Sequence, residues 1–235
     1  MNPQDVAAWF NLGVMFTGGG NGEPALRCFR RAAELEPHNA EYQFHYAWYL
    51  GDQGNLEESL LVFQHAIALN PEPRYYDRLG RILGDAGRID DSMRAFDHAA
   101  QLDPAAPPSL NRALVLVRWG RFEEAAPLLR GITDITPDAS VVQRELGWCL
   151  HHMGRFEEAL SRYDLAASLS AYGKPIAPWS SSTGKKCWLY RGTTYAAMGR
   201  LTEALADLSV FAEARQDYPG IEETIEQIKI QLGER

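Results

Sequence analysis

The hexapeptide GRFEEA stands at residues 120–125 and again at 154–159, a separation of 34. Self-similarity at a fixed period of this size limits the fold to an array of one small supersecondary unit, stacked because a single unit cannot bury its own apolar face. Glycines keep the step at Gly20, Gly54, Gly87, Gly120, Gly154 and Gly199, and prolines keep it at Pro37, Pro71, Pro104 and Pro137. Between a glycine and the next proline, apolar positions fall three and four apart, as in Ser59, Leu60, Phe63, Ala66, Ile67 and Leu69. That is helical spacing, so each unit is expected to hold two helices. The glycine suits the left-handed residue that closes the first helix. Asn21, Asn55 and Asp90 just beyond it are placed to cap the second, with Asn55 and Glu58 forming a capping box. The proline stops the second helix and turns the chain into the next unit.

The array resembles the tetratricopeptide repeat family. In the first unit Trp9, Leu12, Gly13, Phe16, Gly20, Ala25, Phe29, Ala32 and Pro37 fill the family's signature columns. The Leu12-Gly13 column continues as Tyr46-Ala47, Leu79-Gly80, Arg112-Ala113, Leu146-Gly147 and Arg191-Gly192. The Phe29 column continues as Phe63, Phe96, Leu129, Tyr163 and Leu208, and the Ala25 column as Ser59, Ser92, Ala125, Ala159 and Ala204. Six repeats follow, over about 6–39, 40–72, 73–105, 106–139, 140–173 and 185–218, in a single domain spanning 1–235. The resemblance implies an all-α, right-handed superhelical solenoid of antiparallel helix hairpins. The columns have a physical sense of their own: a small residue lets two helix axes approach, and a large one fills the space beside it. An open end must be closed, and Ile221, Ile225, Ile228 and Leu232 form one stripe on an amphipathic segment over 219–235 suited to do so.

Residues 174–184 interrupt the period with two prolines, a serine run and Trp179. Trp179 either folds back over a helix end or serves as a partner anchor or as part of a flap over the groove. The glycine tract at 17–22 invites a phosphate-loop reading, but no GK[ST] follows and the tract occupies a hairpin turn, so a loose turn is expected.

Composition narrows the function. With 31 acidic against 23 basic residues the net charge is −8, which disfavours nucleic acid and anionic membranes as partners. No apolar run reaches eighteen residues, so no membrane insertion is expected. Three widely spaced cysteines, Cys28, Cys149 and Cys187, fit a reducing compartment, here the cytoplasm. Only four lysines among the 23 bases hint at a GC-rich, bacterial coding sequence. HExxH, GxSxG and a Walker lysine are all missing, so no catalytic residue, cofactor or metal site is expected. His151 and His152 are adjacent and point about 100° apart on a helix, which does not suit one metal.

What remains is surface. In the family the first helix of each hairpin lines a concave groove that holds an extended peptide or a partner helix. Carried over by column, the groove positions are Phe10 and Val14; Phe44 and Trp48; Asp77, Arg81 and Asp85; Leu110, Leu114 and Val117; Arg144, Trp148 and His151; and Leu189 and Thr193. The expected partner-binding residues are Phe44, Trp48, Asp77, Arg81, Leu114, Arg144, Trp148 and His151. Trp48 and Trp148 have a second reading, as packing against the neighbouring first helix. Repeats that bind the acidic tails of heat-shock chaperones carry Lys and Asn where this chain has Phe10, Val14, Trp48 and Asp77; only Arg81 fits, so that ligand is disfavoured. The chain is therefore read as a non-enzymatic adaptor or scaffold binding a protein or peptide. The alternatives are a substrate-docking or regulatory region of a larger enzyme, and a scaffold that self-assembles through its first repeat.

Overall fold

The computed structural model describes residues 4–17, 22–137, 139–170, 182–214 and 218–233. Among them are thirteen helices and no strand. In order they are α1 (Val6–Thr17), α2 (Gly22–Leu35), α3 (Ala40–Asp52), α4 (Leu56–Leu69), α5 (Pro73–Asp85), α6 (Ile89–Leu102) and α7 (Leu110–Arg118). They continue as α8 (Phe122–Ile135), α9 (Ser140–His152), α10 (Phe156–Ser170), α11 (Ser182–Ala197), α12 (Leu201–Ala214) and α13 (Ile221–Leu232). The fold is an all-α helical repeat. Two compact bodies, Met1–Val115 and Leu116–Arg235, divide it within α7.

Five of the recurring glycines, Gly54, Gly87, Gly120, Gly154 and Gly199, have φ between +73° and +83°. At each, the residue after the glycine donates its N–H five residues back: Asn55 to Leu50, Arg88 to Leu83, Arg121 to Leu116, Arg155 to Leu150 and Arg200 to Tyr195, at 2.8–2.9 Å. This is the Schellman closure, which satisfies carbonyls that the helix end leaves open. The side-chain caps expected on the second helices do not form. Asn55 stands at the N-cap of α4 at φ −79°, ψ 62°, away from the extended region from which a cap reaches back, and makes no cap bond. Glu58 accepts the Tyr46 hydroxyl instead, Asp90 lies inside α6, and Asn21 is outside the described residues. The turns use arginine in place of a cap: Arg88, Arg121, Arg155 and Arg200 pair with Asp91, Glu124, Glu158 and Glu203, three residues on. Being exposed, these pairs order the turn and add little stability.

Inside the first, third, fifth and sixth hairpins the small and large columns meet. A Cβ built on Gly13 would lie 2.8 Å from the Phe29 ring, on Gly80 2.9 Å from Phe96, on Gly147 2.6 Å from Tyr163 and on Gly192 2.8 Å from Leu208. Phe29, Phe63, Tyr163 and Leu208 have no exposed surface at all. Where the Ala25 column holds serine, the buried hydroxyl donates across the hairpin, Ser59 to the Ala47 carbonyl and Ser92 to that of Gly80. Hairpins are also tied in series: the buried amides of Gln43 and Gln143 donate to the Pro37 and Pro137 carbonyls, which no helix satisfies. Ile221, Ile225 and Ile228 of α13 are buried against Ala204, Leu208 and Phe211 of α12, covering the last hairpin.

Most of the 174–184 insertion, with Trp179, and most of the 17–22 glycine tract lie outside the described residues. Helix α11 begins at Ser182, three residues ahead of the sixth repeat's expected start at 185.

Candidate functional site

In the N-terminal body, α5 carries Arg74, Arg78 and Arg81 on one stripe facing α3. Arg74 bonds to both oxygens of Glu41 and, at 2.6 Å, to Glu72. Arg81 bridges Asp52 of α3 and Asp85 of its own helix. Between them, the Arg78 guanidinium carbon sits 3.9 Å above the Trp48 ring. The Trp48 indole donates to Asp52 at 2.7 Å, which fixes the ring in place. One helix further, Asp77 accepts from the Ser109 hydroxyl and the Asn111 amide. Trp48, Asp77 and Arg81 therefore belong to one polar ladder running from α3 through α5 to α7. The tryptophan takes the packed role among its two readings, but remains half-buried rather than covered.

Phe44 does not join that surface. It is 5% exposed, its ring stacked 4.5 Å from Tyr75 of the next hairpin, and Phe63 lies edge-on behind it. Tyr75 closes over the position that the repeat register assigns to a groove, turning a groove residue into core. Phe10 is likewise packed, against Phe29, Tyr42 and His45, leaving Val14 as the exposed residue of that pair. On α7, Leu110 is exposed, Leu114 half-buried and Val117 buried.

In the C-terminal body the site is a cavity. Trp148 of α9 stacks on Tyr190 of α11, centroids 4.3 Å apart and planes within 21°, and His151 lies parallel beside it at 5.1 Å. His151 Nδ1 is 2.9 Å from the Thr194 hydroxyl. Trp148, Leu189, Tyr190, Thr193 and Leu208 form the wall of a cavity of about 500 Å³, which Tyr218, Ile221 and Thr224 close at the start of α13. The Thr193 and Thr224 hydroxyls donate to carbonyls of their own helices and keep lone pairs for an incoming donor. Among the described residues no charged side chain lines the space, so it suits an apolar or aromatic side chain with a few polar contacts. Arg144, expected beside Trp148 in the groove, is instead 7% exposed and forms a buried ion pair with Glu145. A charge that deep persists only when paired, so this arginine is committed to the interior.

The sequence reading missed Arg78, Tyr190 and the contribution of α13. Arg78 was legible as the middle of three arginines at helical spacing; the other two were not, because they reach the site from a later hairpin. Among the described residues no group of three or more His, Cys, Asp or Glu is placed to hold a metal ion. The rings of His151 and His152 stand at 86° to each other. Burial raises the Cys149 and Cys187 thiols to about 12 and about 11, so both are protonated, poor nucleophiles at neutral pH. No helix among the described residues is long and apolar enough to cross a membrane.

The family profile described as tetratricopeptide repeat matches residues 18–73, 78–140 and 110–174. No curated protein matches the chain. Among solved structures, PilW, a widely conserved type IV pilus biogenesis factor, is 18% identical with a TM-score of 0.75, over 94% of this chain and 97% of its own. PilF of Pseudomonas aeruginosa is 17% identical with a TM-score of 0.73 over the same shares. YrrB, described as a repeat protein with an unusual peptide-binding site, is 19% identical with a TM-score of 0.62, over 84% of this chain and 97% of its own. At these identities the likeness is one of fold.

Proposed function

The chain belongs to the tetratricopeptide repeat family, and on that premise we propose that it is a non-enzymatic adaptor holding a segment of a partner protein against its first helices. Repeats of this family generally mediate protein–protein interaction. The observation that carries the reading is the cavity beside Trp148, where aromatic rings from α9 and α11 stand open to an incoming side chain of similar character. Aromatic residues in such pockets dominate interface energetics. Trp48, Asp77, Arg81, Trp148, Leu189 and Thr193 are the residues we assign to partner contact. YrrB, a protein of this fold described as having a peptide-binding site, supports the reading by analogy. The net charge of −8 supports a protein rather than a nucleic-acid partner. Three buried cysteines free of disulfides support a reducing compartment, the cytoplasm, and the four lysines among 23 bases support a bacterial source.

The test is affinity capture on the tagged chain beside Thr193→Trp, which fills the cavity from an accessible helix position. A protein retained by the wild type and lost from a variant of equal helicity supports the adaptor reading; an identical captured set for both refutes it. Self-association is a second reading, favoured by a cavity of about 450 Å³ on the first hairpin lined by Trp9, Leu12, Phe16, Cys28, Arg27 and Arg31. Sedimentation velocity across a concentration series separates the two.

A further inference from the structure

Along the α3–α5 face the acids are already engaged. Asp52 gives Oδ1 to Arg81 and Oδ2 to the Trp48 indole. Asp77 gives one oxygen to Ser109 and the other to Asn111, and Glu41 gives both to Arg74. Arg74 and Arg81 are thereby neutralised. Arg78, between them, is not: among the described residues it makes no ion pair and no hydrogen bond, and its one close partner is the Trp48 ring. Burial, reinforced by Arg81, pulls its pKa below the ordinary arginine value. The protein thus holds in a half-buried position a cation with no direct ion pair or hydrogen bond, on which Asp52 and Asp77 act only at a distance, an arrangement that costs free energy unless something completes it.

The stacking geometry defines what completes it. Contact with the indole occupies the face of the guanidinium and leaves five N–H donors around its rim, where a carboxylate is met two bonds at a time. Trp48 is itself held by Asp52, so the receptor is ordered before a ligand arrives. We infer that Arg78, laid flat on Trp48, is the receptor for an aspartate or glutamate side chain of the partner segment. The inference rests on the adaptor reading and names the chemistry that reading selects for. A single carboxylate fits and a polyanion does not, because Asp52 and Asp77 lie near enough to the guanidinium to repel further negative charge. The residue differs from those at the chaperone-tail positions, where this chain has Asp77 and Arg81.

The full chain is immobilised and exposed to pools of synthetic twelve-residue peptides, degenerate in uncharged residues and fixed at one central position as Asp, Glu, Asn, Gln or phosphoserine. The expected result is about tenfold greater retention of the Asp and Glu pools than of their amide counterparts. Arg78→Gln reduces the acid pools to the amide level, and Arg78→Lys, which keeps the charge but not the planar fork, removes most of the preference. Equal retention of acid and amide pools by the wild type overturns the assignment to Arg78 and leaves the adaptor reading standing; no retention of any pool above bare resin overturns both. A preference that survives in Arg78→Gln, or a phosphoserine pool retained above the acids, also overturns it.

Discussion

Replacing Gly147 by alanine places one methyl group 2.6 Å from Cε1 of Tyr163, a ring with no exposed surface. Carbon atoms pack at about 3.5–4.0 Å, so ring and helix must separate by about 1 Å. Tyr163 has little freedom to retreat, since its neighbours are close-packed on every side. Overpacking of this kind costs about 1–3 kcal/mol, and a fully enclosed ring places Gly147→Ala near the upper end. Alanine recovers about 1 kcal/mol over glycine in a helix interior, which leaves a net loss of about 2 kcal/mol. Tyr163→Leu alone costs about 2 kcal/mol through the cavity it opens. Combined, the two changes relieve each other, because the methyl enters space the ring has vacated, and the double variant is expected to be no less stable than Tyr163→Leu. The coupling, about 2 kcal/mol, is read from denaturant unfolding followed by circular dichroism, with hydrogen exchange of α9 and α10 amides locating the loss. Additivity of the two changes, or a more stable Gly147→Ala protein, would refute the account of the small and large columns as one steric device.

Other consequences are simpler to state. Gly154→Ala meets no atom within 4 Å, so its cost is the backbone's alone at φ +74°: about 1–2 kcal/mol, with an unchanged melting temperature as the contrary result. Ile225→Ala should cost about 2–4 kcal/mol and speed hydrogen exchange in α12 and α13, whereas deletion of 219–235 should lower solubility by uncovering Leu208 and Phe211; a monomeric deletion product with an unaltered melting curve would contradict the capping role. Burial pulls the pKa of His45 below the ordinary value, with Arg74 and Arg78 adding to it against Glu41, and burial does the same for His151 and His152. The unfolded chain therefore binds more protons below about pH 6.5, so stability is complete above that pH and falls as the solution is acidified toward the lowered values; a melting temperature higher at pH 5 than at pH 7.5 would reverse the sign.

The expectations that failed have a common cause. Asn55 and Asp90 looked like caps because their side chains favour that place, yet the Schellman bond from the preceding turn had already set the backbone of the N-cap residue, and arginine at that position found its acid three residues on. Phe44 and Arg144 were assigned to a groove by their column in the repeat. Tyr75 covers the first and Glu145 neutralises the second, and neither event is visible in a helical wheel. Trp48 and Trp148 kept two readings in the sequence; in the structure Trp48 takes the packed one, half-buried under Arg78, while Trp148 combines them, stacked on Tyr190 and lining the cavity.

The sequence by itself determined the period, the hairpin, the left-handed glycine that ends five of the first helices, and the small-against-large contact between the two helices. These are set by chain-local bonds or by residues sixteen apart, such as Gly13 with Phe29 and Gly80 with Phe96, whose spacing two helices and a fixed turn dictate. Only the tertiary structure decided which first-helix side chains are spent on their neighbours and which remain for a partner. Arg81 meets Asp52 across 29 residues, Asn111 meets Asp77 across 34 and His151 meets Thr194 across 43. Such pairs depend on how one hairpin is rotated against the next, and that rotation is the summed result of many packing contacts rather than a property of any one repeat.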